Sequence, residues 1–136
     1  MNKLEENKEI ELDFKKTAKA AAGDQEVIPV AVQNIDTGEV VLLAYTNEEA
    51  FRKSIESRSL VLWSTSRNEL WEKGKTSGNT FDLIEVYVNC EQNSLLYKVR
   101  SRSGGICHTA NKQGKPRNCF YRKLNMETLE LENQDS

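Results

Sequence analysis

The chain has 136 residues, a net charge of −2 and a mean hydropathy of −0.66, which suits one domain with a modest core. No large block of one sign is present, which excludes general nucleic-acid binding, and the apolar runs are far too short to span a bilayer. The first residues, MNKLEENKEIELDFKK, are charged and hold no apolar stretch of a secretory signal, so the expected setting is the cytoplasm, with no membrane partner.

Residues 1–24 are rich in Glu, Lys and Ala. They read as an N-terminal extension, helical through Leu4, Ile10 and Phe14 and ended by Gly23 and Asp24. Residues 25–124 read as the single domain. Val27 to Gln33 and Val40 to Tyr45 are apolar, β-branched runs. Asp36-Thr37-Gly38-Glu39 between them predicts a hairpin. Thr46 with Glu49 three residues on predicts a capping box opening a helix that ends near Ser57 and Arg58. Ala50, Phe51 and Ile55 give that helix one apolar side.

Leu60 to Ser64 predicts a short strand. Residues 72–79, EKGKTSGN, predict a loop, and Phe81 to Cys90 a long strand. Alternation there puts Ile84, Val86, Val88 and Cys90 on one face, with Tyr87 and Asn89 on the other. Residues 91–94 read as a turn and Leu95 to Arg100 as the return strand. Cys119 to Leu124 reads as a last strand, and residues 125–136 as an acidic tail that frays. The resulting class is mostly β with short helices, α+β.

All three cysteines, Cys90, Cys107 and Cys119, and the only histidine, His108, fall in residues 89–121. An odd cysteine count in a reducing compartment disfavours a disulfide framework and leaves metal binding, catalysis or inert burial. Three thiolates with one open position form a set that zinc accepts in catalytic sites. There is no C-x-x-C pair, so a zinc ribbon is disfavoured. His108 is either a hydrogen-bonded histidine without a role or a proton shuttle beside the metal. Residues 63–79, WSTSRNELWEKGKTSGN, combine Arg67, Lys73 and Lys75 with hydroxyls and two glycines. Such a stretch is either a solvated loop or a phosphate cradle.

Four ordered pieces carry a family resemblance: IPVAVQNIDTGEVVLLAYTNEEA, LWSTSRNELWEKGKTSGN, the N-C-E-x-N turn, and CHT followed by CFYR. Together they resemble phosphoribosyl-AMP cyclohydrolase from about Ile28 to Tyr121. No pyrophosphohydrolase domain follows, so the chain looks like the single-activity form. The resemblance implies a compact pseudobarrel and an intertwined homodimer whose zinc sites draw on both subunits. It implies hydrolysis of the N1–C6 bond of the adenine ring in 1-(5-phosphoribosyl)-AMP, the third step of histidine biosynthesis.

By the same resemblance Cys90, Cys107 and Cys119 are zinc ligands and His108 is catalytic. Trp63, Ser64, Ser66, Arg67, Lys73, Thr76, Ser77, Gly78 and Asn79 are implied substrate-binding positions. The family's D-C-D-x-D magnesium motif is replaced here by Asn89, Glu91 and Asn93, a degenerate site with one carboxylate. The segment between Cys107 and Cys119 is also longer and more basic than the family's. Its Lys112, Lys115 and Arg117, with Arg67 and Lys73, are candidates to hold a substrate phosphate in place of magnesium.

Two other functions fit the same residues. One is a paralogue that hydrolyses a related N-heterocycle, and the other a non-catalytic nucleotide- or zinc-binding protein. A purine or cytidine deaminase would need H-x-E and P-C-x-x-C, and neither is present.

Overall fold

A computed structural model describes residues 6–9, 26–73, 80–101, 110–115 and 117–136. Six strands form one sheet: β1 (Ile28–Asn34), β2 (Val40–Thr46), β3 (Val61–Ser64), β4 (Glu69–Glu72), β5 (Phe81–Val88) and β6 (Leu95–Ser101). A helix, α1 (Glu48–Ser57), joins β2 to β3. A separate two-stranded ribbon pairs β7 (Arg122–Leu124) with β8 (Leu131–Asn133). The class is the expected one, mostly β with a short helix.

The sheet order is β4-β3-β2-β1-β6-β5. Neighbours are antiparallel except β1 and β6, which run parallel from Val30–Leu95 to Asn34–Val99. The sheet curls until the chain entering β3 meets β5. Ser59 bridges Asp82, Leu60 N–H donates to the Phe81 carbonyl at 3.2 Å, and Leu83 N–H donates to the Arg58 carbonyl at 2.9 Å. This is a half-barrel.

The first hairpin forms where the turn residues placed it. Asn34 Oδ1 accepts from Asp36 and Thr37 N–H, and Gly38 takes φ +78°, which costs glycine nothing. Arg100 on β6 pairs with Asp36 at 3.0 and 3.1 Å, tying the turn across the sheet. That guanidinium holds the Asp36 carboxyl below its ordinary range.

The helix cap differs from the expected one. Thr46 is the last residue of β2, paired with Ile28, so Asn47 becomes the N-cap and its Oδ1 accepts from Ala50 N–H at 2.8 Å. Helix α1 ends at Arg58 in the left-handed region, as the sequence indicated.

The core lies inside the curl. Val30 and Val32 of β1, Leu60 and Leu62 around β3, Phe81 and Leu83 of β5, and Tyr97 and Val99 of β6 are buried, and Phe51 and Ile55 of α1 pack on them. Burial of this kind stabilises by about 25 cal/mol per Å² of apolar surface. It also pushes the Tyr97 phenol above its usual pKa.

Strand β5 corrects the simple alternation. The register shifts between Leu83 and Glu85, and the bulge turns Ile84 outward to 41% exposure. The inward face is Phe81 and Leu83 before the bulge, with Val86 packed on the core after it.

The tail departs from the frayed expectation. Asn125 Oδ1 caps the turn at Glu127 and Thr128, and β8 pairs back on β7. Of the N-terminal extension, residues 1–5 and 10–24 lie outside the described residues. Glu9 makes a β-bridge with Glu130.

One buried side chain joins the helix to the sheet. Ser54 Oγ donates to the Val61 carbonyl at 2.7 Å and accepts from Val61 N–H at 3.1 Å. Ser54→Ala should leave two buried backbone groups unpaired and cost about 1–3 kcal/mol. Chemical denaturation measures this, with the exposed Ser57→Ala as a control; equal stability of the two variants would contradict this role.

Candidate functional site

Cys90 lies in the turn that follows β5, exposed and outside any disulfide. The turn is built by asparagine side chains. Asn89 Oδ1 accepts from the N–H groups of Asn93 and Ser94, both at 2.9 Å. Asn89 Nδ2 donates to Asn93 Oδ1 at 2.6 Å, and Asn93 Nδ2 to Glu91 Oε2 at 3.3 Å. Gln92 sits in the left-handed region at φ +54°. The three degenerate magnesium positions are therefore gathered, but they are bonded to one another. Both amide oxygens already accept, and Glu91 brings the single carboxylate.

Beside this turn opens a cavity of about 390 Å³. Val88 and Gln92, which bracket Cys90, line it together with Leu95 and with Asn47, Glu48 and Phe51 at the start of α1. Glu26 and Glu48 are its charged lining residues, so this cavity is not a phosphate site by charge.

Cys119 lies at the other end of the sheet. Its N–H donates to the Val41 carbonyl at 2.8 Å, near the start of β2, and its side is exposed. Strand β3 pairs with β2 at Tyr45–Trp63, four residues further along. The β3–β4 turn follows, where Ser64 Oγ lies 3.3 Å from Ser66 Oγ and accepts from Arg67 N–H at 3.3 Å. Arg67 pairs with Glu69 at 3.6 Å and stays exposed. Trp63 is half-buried, and Lys73 N–H bonds the Leu60 carbonyl.

The register fixes how far apart the two cysteines are. Cys90 is two residues past Val88, which is level with Leu95 and Val30. Val41 is level with the stretch Val32–Gln33. The offset is roughly 15 Å along the strands, with three strand spacings of about 4.8 Å across them. Two sulfurs on one zinc, each bonded at about 2.3 Å, lie within about 4.6 Å of each other. One protomer thus does not bring Cys90 and Cys119 together. Among the described residues no group of three His, Cys, Asp or Glu is gathered for a metal ion. Cys107, His108, Thr76, Ser77, Gly78 and Asn79 lie outside the described residues.

Arg117 is not the phosphate-binding cation that its basic loop suggested. It is 2% exposed and donates through Nη1 to Glu6 Oε1 at 2.9 Å. Its guanidinium lies 4.4 Å from the centre of the Tyr121 ring, and that of Arg122 lies 5.3 Å from the same ring. The sequence carried no local signal for this cluster, because Glu6 is 111 residues away from Arg117. Lys112 and Lys115 do remain exposed.

No helix among the described residues is long and apolar enough to cross a membrane. The family model for phosphoribosyl-AMP cyclohydrolase matches residues 42–121, more than half of the chain. A phosphoribosyl-AMP cyclohydrolase of Desulfatibacillum aliphaticivorans is 38% identical over 88% of this chain and 86% of its own. Another, of Haloarcula marismortui, is 44% identical over 80% of this chain and 86% of its own. The histidine biosynthesis bifunctional protein HisIE of Aquifex aeolicus is 39% identical over 79% of this chain and 50% of its own. With β3, β5 and the turn of Cys90 all inside the matched span, the chain belongs to the phosphoribosyl-AMP cyclohydrolase family, a family of hydrolases.

Proposed function

We propose that this chain hydrolyses the N1–C6 bond of the adenine ring of 1-(5-phosphoribosyl)-AMP, opening the six-membered ring in histidine biosynthesis. The observation that carries this reading is identity of 38–44% to proteins of that name across most of both chains. The position of Cys90 beside a cavity of about 390 Å³ is consistent with it.

The proposal assigns a zinc ion to Cys90, Cys107 and Cys119. Soft thiolates suit zinc over magnesium or calcium. The two described thiols are exposed and outside disulfides, so their sulfurs are accessible to a metal. Zinc in such a set supplies Lewis acidity that makes water nucleophilic at neutral pH. The separation of Cys90 and Cys119 at opposite ends of the sheet within one protomer supports a ligand set shared with a second copy. The proposal therefore includes a homodimer. Within it, His108 moves a proton during ring opening, and Ser64, Ser66 and Arg67 at the β3–β4 turn hold the substrate.

The assay is turnover of phosphoribosyl-AMP by the zinc-loaded protein. Each of Cys90→Ser, Cys107→Ser and Cys119→Ser should lose most zinc and most activity. His108→Ala should keep its zinc and lose roughly a hundredfold or more in rate. No turnover of phosphoribosyl-AMP by the zinc-loaded parent would reject the substrate and favour a related heterocycle. Full zinc in all three serine variants would reject the ligand set.

The proposal also gives magnesium little part. Affinity for a hard cation follows the number of anionic oxygens, and two of the three positions are amides that bond each other. After chelation and zinc repletion, activity should respond only slightly to added magnesium. Asn89→Asp with Asn93→Asp should increase that response. A strict magnesium requirement in the unchanged protein would contradict this.

A further inference from the structure

The segment 6–9 and the strands β7 and β8 lie outside the span 42–121 that the family model matches. They nevertheless converge on Cys119. Leu131 N–H donates to the Lys8 carbonyl at 2.7 Å and Glu9 makes an isolated β-bridge with Glu130, so the segment lies along the edge of β8. Two of its residues then reach the chain on either side of Cys119. Glu6 Oε1 accepts from Arg117 Nη1 at 2.9 Å. Asn7 accepts from Arg122 Nη1 through its carbonyl at 3.1 Å and its Oδ1 at 3.2 Å. Both guanidiniums lie against the ring of Tyr121, whose own carbonyl accepts from Gln134 N–H at 2.7 Å.

Cys119 is exposed, in a turn, and its N–H donates to the Val41 carbonyl of the sheet at 2.8 Å. Its flanks are different: Arg117 is 2% exposed and Tyr121 is 7% exposed. A buried cation is stable only with a partner, and removing that partner leaves an uncompensated charge. Arg117 Nε has no hydrogen-bond partner among the described residues, so the guanidinium depends on Glu6 for its carboxylate. Losing Glu6 would drive Arg117 toward water and carry Cys119 with it, two residues away.

We propose that the N-terminal segment is a clamp that positions Cys119, with Glu6 as the positioning residue acting through Arg117. The proposal rests on the reading of Cys119 as a metal ligand. Groups that act behind a ligand typically change metal affinity by about tenfold to a hundredfold when removed. The same ties reach the basic loop, since Asn111 Nδ2 donates to Asp135 Oδ1 at 3.0 Å. Both chain ends thus brace the stretch that precedes and includes Cys119.

The test measures zinc affinity of the full chain by chelator competition, with amide hydrogen exchange on the same samples. Glu6→Ala and Glu6→Gln should weaken zinc by about tenfold or more. Glu6→Asp should restore most of that loss. Exchange should rise at residues 117–124 and stay at the parental level in β1, β2 and β6. Parental zinc affinity in Glu6→Ala, while Cys119→Ser loses its zinc, would overturn the clamp and leave the ligand reading intact. Full zinc in Cys119→Ser would overturn the ligand reading and the proposal with it. A uniform rise in exchange across β1 to β6 would also overturn the clamp, because Glu6 would then act on general stability.

Discussion

The parallel pairing of β1 with β6 is the constraint on which the molecule depends. It puts β1 at the centre of the sheet, with β2 on its other side. A parallel partner cannot follow through a tight turn, so the chain must travel through β2, α1, β3, β4 and β5 before β6 can dock. Val30 and Val32 are fully buried because neighbours flank them on both edges and the curl closes over them. The same register sends the turn after β5 to the end of the sheet where β1 begins, and Val41 to the end where β1 finishes. The separation of Cys90 from Cys119 follows from that pairing together with the β1–β2 and β5–β6 ladders.

The two ends are built by different physics. At the Cys90 end the turn closes through its own amides, Asn89 and Asn93 bonding each other and the turn backbone. At the Cys119 end the chain around the cysteine carries two guanidiniums that lie against the ring of Tyr121, held from outside the matched span by Glu6 and Asn7. The first arrangement is local and self-contained. The second needs both termini, so its stability is tied to contacts more than a hundred residues apart in sequence.

What was legible in the sequence was local. The turn Asp36 to Glu39, the helix with Ala50, Phe51 and Ile55, and the return from β5 to β6 were readable because a few adjacent residues decide them. The N-cap was misplaced by one residue because Thr46 and Asn47 can both accept from a helix N-terminus. The ladder to Ile28 retains Thr46 in β2. The bulge at Ile84 was hidden because alternation assumes an unbroken register. The strand β8 was hidden because its partners, β7 and Lys8, are set by tertiary contacts and not by its own composition. Among the candidate site residues, the cysteines were conspicuous by type. That a single protomer separates two of them follows from the β1–β6 register together with the β1–β2 and β5–β6 ladders, which no local pattern encodes.

We propose that a zinc site of this protein takes Cys90 from one protomer and Cys119 from its partner. Mixing Cys90→Ser with Cys119→Ser under subunit exchange tests it most directly. Random exchange makes half of the dimers mixed, and each mixed dimer holds one intact site of two, so about a quarter of parental zinc binding and turnover should return. Mixed dimers that form, as native mass spectrometry would show, and yet recover neither zinc nor turnover would contradict the claim.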